Sequence, residues 1–202
     1  MIITIGRQYA SGGRQIGELV AKKLDFAYFD KELITLAAKE SGLSREFFEQ
    51  ADEKKRGGFF YSLFGFHSNI QLGGSDNLFL NSETLFKIQS DVIRQLAKQQ
   101  NCVFVGRCAD YILRDNPNSL NIFITANRAE RRQRLVERGE KRNGETLDEL
   151  LDKTDRSRAE YYNFFTNKHW GNSQSYHFCI NSSLLGIEQS AELICEIVKK
   201  QF

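Results

Sequence analysis

The opening of the chain constrains its fold more than any other stretch. Ile2-Ile3-Thr4-Ile5 is a short β-branched run that passes straight into Gly6-Arg7-Gln8-Tyr9-Ala10-Ser11-Gly12-Gly13-Arg14-Gln15. Ile16, Leu19, Val20 and Leu24 then recur at helical spacing over about Gln15 to Leu24. Strand, glycine loop and helix N-terminus in succession turn free backbone N–H groups and a positive dipole end toward one place, which suits an anion. Adjacent Gly12 and Gly13 admit a phosphate without Cβ interference, and Arg14 adds a charged fork. The same residues also describe a tight βα turn whose glycines serve packing alone. The spacing does not fit Gly-x-Gly-x-x-Gly. It also departs from Gly-x-x-x-x-Gly-Lys-[Ser/Thr], because no lysine is present and Ser11 precedes the glycines instead of following them.

Beyond this unit the period keeps switching between strand and helix. Phe26 to Phe29, Cys102 to Val105, Leu120 to Thr125 and His177 to Asn181 read as strands. Helices are expected over about 31–40, from Ser44 for a short stretch, then 82–99, 108–113, 128–138, 145–165 and 187–199. Short, continuously apolar strands alternating with helices predict an α/β fold, a parallel sheet covered on both faces. From Gly57 to about Asn81 the pattern dissolves into glycine and phenylalanine. The single proline leaves no proline-rich linker, so residues 1–202 read as one domain with a mobile insertion at about 45–90.

Hydrophobic residues at 41% and charged residues at 27% describe an ordinary globular chain, neither disordered nor a coiled-coil rod. The longest uncharged stretch, Gly57 to Ser75, is broken by five glycines and cannot span a membrane. A net charge of +2 gives no reason to expect nucleic-acid or membrane binding. The chain opens on a strand with no basic lead and apolar signal core, so a cytoplasmic location is expected. Cys102, Cys108, Cys179 and Cys195 lack zinc spacing and read as buried reduced thiols, and His67, His169 and His177 form no metal set, so no metal ligands are expected from the protein. Phe59, Phe60, Phe64 and Phe66 read as satellite core, with an acceptor-facing lid or a homodimer contact as alternatives.

Candidate binding residues cluster at strand ends and on two helices. Arg107 follows the strand ending at Val105, at the sheet edge where open α/β sheets take ligands. Asp30 closes another strand and is either a ribose-binding acid or a loop residue. Asp152, Asp155 and Arg158 share one helical face, with Arg156, Tyr161 and Tyr162 nearby. Arg128, Arg131, Arg132, Arg134 and Arg138 make a basic helix. Each of these sets also reads as a solvated charged face.

Together these segments resemble the cytidylate kinase-like family of P-loop nucleoside monophosphate kinases. The resemblance rests on Ile3 to Gly17, on Phe29-Asp30-Lys31-Glu32-Leu33-Ile34, on Val105 to Leu113, on Ile122 to Ala126 with its basic helix, and on Asp155-Arg156-Ser157-Arg158. It runs along nearly the whole chain and is weakest between 45 and 90. It implies a P-loop fold with ATP and Mg2+ and a nucleoside monophosphate acceptor, CMP or dCMP first. Ser11, Gly12, Gly13, Arg14 and Gln15 would cradle the donor phosphates. Arg107 would hold the acceptor, with Asp30, Asp110 and Arg156 beside it. Arg158, with Arg132 or Arg156 and with Asp155, would act on the transferring phosphoryl group from lid-type helices at about 128–165. Gly13 stands where the family carries its P-loop lysine, Cys108 where it carries an aspartate (Asp110 lies two residues on), and Leu151 where it carries the first lid arginine. Arg14 is the expected substitute for the lysine, although the two side chains bind phosphate differently. Three functions stay open: a nucleoside monophosphate kinase, a nucleotide- or phosphate-binding module without turnover, and a kinase for a small non-nucleotide molecule.

Overall fold

The computed structural model describes residues 1–40, 75–140 and 144–201. The expected helix from Ser44, the phenylalanines 59, 60, 64 and 66, and His67 lie outside the described residues. The described chain divides into two compact units, one of residues 1–31 and 96–202, the other of residues 32–95.

The first unit contains the whole sheet. Its strands are β1 (Ile2–Arg7), β2 (Ala27–Phe29), β3 (Cys102–Val105), β4 (Ser119–Thr125) and β5 (Phe178–Asn181). All neighbours are parallel, in the order β2-β3-β1-β4-β5. Helix α1 (Gly13–Leu24) follows β1. Further on come the short α4 (Ala109–Ile112), then α5 (Arg128–Glu137), α6 (Leu147–Thr166) and α7 (Ser182–Gln201). The second unit contains most of α2 (Lys31–Glu40) and α3 (Ser75–Gln99), joined where Gln89 Nε2 donates to Thr35 Oγ1 at 3.4 Å. Helix α3 begins at Ser75, seven residues before the expected Ser82, so the glycine-poor stretch after Gly74 is helical.

Strand alternation explains the core. Ile3 and Ile5 pair in register with Val103 and Val105 on one side and with Leu120 and Ile122 on the other, all on one face. Ile16 and Val20 of α1, with Ile194 and Val198 of α7, cover that face, and every one of these side chains is buried. Each contributes about 1.5–3 kcal/mol by leaving water. Helix α1 runs so close to the sheet that a Cβ on Gly17 would lie 2.8 Å from Val105 Cγ2. The winding reverses at β1, since the chain crosses from β3 past β1 to β4. The carboxyl end of β1 is therefore the place where an open α/β sheet offers a ligand crevice.

Two expectations need correction. Cys179 is exposed, because β5 is an edge strand that buries only Ile180; the other three cysteines are buried. The basic helix α5 is not simply a solvated face, since Arg131 is 5% exposed. Among the described residues no helix is long and apolar enough to cross a membrane.

Candidate phosphate site at the β1–α1 loop

The loop is held through its carbonyls. From Arg7 to Gly12 each C=O accepts a hydrogen bond. Arg158 Nη1 donates to Arg7 O at 3.0 Å, and Ser11 Oγ to Gln8 O at 2.9 Å. Arg131 Nε donates to Tyr9 O at 2.7 Å, and Arg134 Nη1 to Ala10 O at 3.2 Å. Ser182 Oγ donates to Ser11 O at 2.6 Å, and the Ile16 N–H to Gly12 O at 2.9 Å. With the carbonyls engaged from outside, the first turn of α1 presents N–H groups that precede the first intrahelical bond. Ala10 (φ 56°) and Gly12 (φ 81°) adopt left-handed conformations that bend the loop into this shape. For Ala10 that costs on the order of 1–2 kcal/mol, offset by its packing against Leu135, Leu150 and Leu151.

Helices α5 and α6 anchor the loop. Arg131, buried, forms an ion pair with the half-buried Asp155. Asp155 Oδ1 also accepts from the Tyr9 N–H at 2.7 Å. Arg128 ties α5 to α6 through Asp148 (2.7 Å) and both oxygens of Asp152 (2.8 Å each). Thr146 and Glu149 form a capping box that starts α6. Leu151, at the position of the family's lid arginine, is completely buried against Ala10, Leu135 and Leu150.

Around the loop mouth stand Arg7, Arg107 and Arg158. Burial first, then the Arg158 and Arg107 charges, push the Arg7 guanidinium down to about 9, while Tyr28 and Asp30 act the other way. Burial also lowers Arg158, with Asp155 and Tyr9 opposing. Arg158 lies 5.3 Å from the Tyr9 ring centroid, and Arg107 5.2 Å from that of Tyr161. Arg107 sits in a run of left-handed residues, Gly106 (φ 83°), Arg107 (φ 57°) and Cys108 (φ 56°). Strain held at a strand's carboxyl end is a feature of ligand sites.

The remaining expected residues are placed as follows. Arg14 is exposed and pairs with Asp30 (3.0 Å) and Glu18 (3.3 Å), so Asp30 is a buried carboxylate held by a guanidinium. Gln15 is exposed and accepts from Arg138 Nη2 at 3.1 Å. Asp110 is part-buried and accepts from Tyr162 OH at 2.7 Å; burial raises its pKa and that hydrogen bond opposes the rise. Arg156 is exposed, and Arg132 faces Asp148 at 3.5 Å. The partners that α5 gives the loop are Arg131, one residue earlier, and Arg134.

Arg7, Arg131, Arg134 and Ser182 were not legible as site residues. For Arg7 a signal existed. Alternation along β1 puts it on the face of Ile3 and Ile5, a charge on the core row at the strand's end. The others depend on how α5, α6 and α7 dock.

The described residues do not compose a magnesium site of their own. Asp30 is engaged by Arg14, Asp155 by Arg131 and the Tyr9 N–H, and Asp110 by Tyr162. With Gly13 at the lysine position, Arg14 stands where a P-loop hydroxyl would ligate the ion. No cluster of three or more metal-binding side chains occurs among the described residues. The cations held at this loop are arginines.

Comparison with known proteins bears on the family and the fold. The sequence profile of the cytidylate kinase-like family matches residues 2–184. No curated protein matches the chain. An uncharacterized protein from Eubacterium ventriosum ATCC 27560 superposes with TM-score 0.73 at 24% identity, over 100% of this chain and 99% of its own. Shikimate kinase from Bacteroides thetaiotaomicron gives TM-score 0.54 at 15% identity, over 98% of both chains. Deoxyadenosine kinase from M. mycoides, solved with dCMP and dCDP bound, gives 0.51 at 16%, over 99% of this chain and 100% of its own. The chain is thus similar in fold to P-loop kinases.

Proposed function

The chain belongs to the cytidylate kinase-like family, and on that premise we propose that it transfers the terminal phosphoryl group of ATP to a nucleoside monophosphate, with CMP and dCMP the first acceptors to try. The observation that carries this reading is the loop itself. Its carbonyls are engaged from Arg7 to Gly12, its helix turn offers N–H groups, and Arg7, Arg107 and Arg158 stand around it. Phosphoryl transfer asks for placement and charge neutralisation more than for covalent chemistry, and this arrangement supplies both.

In this reading the backbone of Ser11 to Gln15 cradles the donor phosphates, with Arg14 at the edge. Arg107 holds the acceptor's phosphate, with Asp30, Asp110 and Arg156 on the acceptor side. Arg158 neutralises the group in transit, while Asp155 fixes the loop that binds it. An acceptor oxygen attacks the γ-phosphorus, the bond to the bridging oxygen of the leaving ADP breaks, and the electron pair departs with ADP. A nucleotide acceptor suits the committed carboxylates. Its phosphate is already ionised and needs no general base, whereas an alcohol acceptor has a proton to lose. The missing lysine favours a second reading, a binding module without turnover.

A coupled ADP-release assay with ATP, Mg2+ and a panel of nucleoside monophosphates tests the proposal. Turnover that depends on CMP or dCMP, reduced about 100- to 1,000-fold in Arg158→Ala, is expected. Nucleotide binding without turnover on any acceptor favours the module.

A further inference from the structure

The vacancy at the family's lysine position has a structural counterpart. Gly13 has no side chain, and a Cβ there would lie 2.6 Å from Cβ and 3.0 Å from Cγ of Arg7. The stem of Arg7 fills the volume in which a lysine at 13 would begin. Farther along the same side chain, a Cβ on Gly106 would lie 1.9 Å from Arg7 Nη1. Arg7 thus threads between two glycines, one at the start of α1 and one at the end of β3. Its guanidinium ends beside the loop mouth, near Arg158 and Arg107. Arg134, Arg131 and Arg158 each donate to a loop carbonyl, and Arg14 pairs with carboxylates. Arg7 differs: among the described residues its guanidinium has no hydrogen-bond acceptor and no ion-pair partner. Its five N–H donors, set in a cationic cluster, suit an anion.

We propose that Arg7 takes the place of the P-loop lysine: its guanidinium, delivered from the strand instead of the helix, binds the donor's phosphate oxygens, and Gly13 and Gly106 are glycine in order to admit it. The inference rests on the phosphate-binding part of the proposed function and holds whether or not the protein turns over. It moves the lysine's role from Arg14, which the structure engages with Asp30 and Glu18, to a residue six positions before Gly13. A fork in place of an ammonium offers two parallel donors to one phosphate, a stronger geometric requirement than a point charge makes.

Calorimetric titration of ATP and of inorganic tripolyphosphate tests this on the full chain and on Arg7→Ala, Arg7→Met, Gly13→Lys and the double variant Arg7→Ala/Gly13→Lys, with melting temperatures recorded for each. Loss of a charge-assisted contact to phosphate is expected to weaken both ligands on the order of 10- to 100-fold in Arg7→Ala. Arg7→Met keeps the stem between the glycines, so the same loss at an unchanged melting temperature separates binding from packing. Gly13→Lys alone is expected to lower the melting temperature, and the double variant to regain affinity over Arg7→Ala. Undiminished binding in Arg7→Ala or Arg7→Met overturns the assignment alone, as does a folded double variant no tighter than Arg7→Ala. Absence of binding to either ligand in the unaltered chain overturns the kinase reading with it.

Discussion

Arg131 and Asp155 grip a single residue of the loop from both sides. The Arg131 Nε donates to the Tyr9 carbonyl and the Tyr9 N–H donates to Asp155, each at 2.7 Å, while the two side chains pair with each other. A helix–helix ion pair therefore fixes the β1–α1 loop through its backbone. Arg131→Ala leaves the Asp155 carboxylate without its cation. Urea denaturation should show a loss of about 3–5 kcal/mol. Arg132→Ala, one residue on and 54% exposed, should stay within about 0.5 kcal/mol. Equal losses in the two variants would contradict the placement.

Leu151 tests the lid. An arginine at this position would match the family's motif, yet here the side chain is fully buried against Ala10, Leu135 and Leu150. Leu151→Arg forces a charge into that cluster and should cost on the order of 4 kcal/mol or more. A melting temperature equal to the unaltered chain's would show that α6 does not pack against the loop as described.

Helix propensity and packing give opposite signs at Gly13. Gly→Ala within a helix ordinarily stabilises by about 1 kcal/mol. Here the new methyl would meet the Arg7 stem at 2.6 Å, so Gly13→Ala should instead destabilise by about 1–3 kcal/mol. The midpoint of chemical denaturation decides the sign.

Asp110 predicts a pH dependence. Burial raises its folded pKa above the ordinary 3.8, so over the interval from 3.8 upward the folded chain binds more protons than the unfolded one. Its contribution to stability is complete below that interval and is lost as pH rises through the raised value. Asp110→Asn keeps an oxygen for the Tyr162 hydroxyl and removes the titration. Melting temperatures measured across the acidic-to-neutral range should fall with pH less steeply in this variant than in the unaltered chain. Parallel curves would show that Asp110 does not titrate in this way.

The chain's own order of residues determined the class of fold and pointed to the candidate site. Ile3 and Ile5, Val103 and Val105, and Leu120 to Ile124 are strand signals because burial on a parallel sheet demands continuous apolar runs, and that demand is local. The glycine pair before Ile16 marks the β1–α1 turn for the same reason. Local signals reached Arg107 and Arg158 as candidates, but not the partners that hold the loop. Arg131, Arg134 and Ser182 meet Tyr9, Ala10 and Ser11 across more than a hundred residues of chain. The spacing along α5 did not distinguish Arg131, turned inward, from Arg132, turned to Asp148. Docking of α5 and α6 decided that, because one residue rotates a helical side chain by about 100°. The Arg7–Gly13 exchange was decided the same way. Sequence shows a lysine missing from a helix. Only the approach of strand to helix shows an arginine stem filling the space where that lysine would begin.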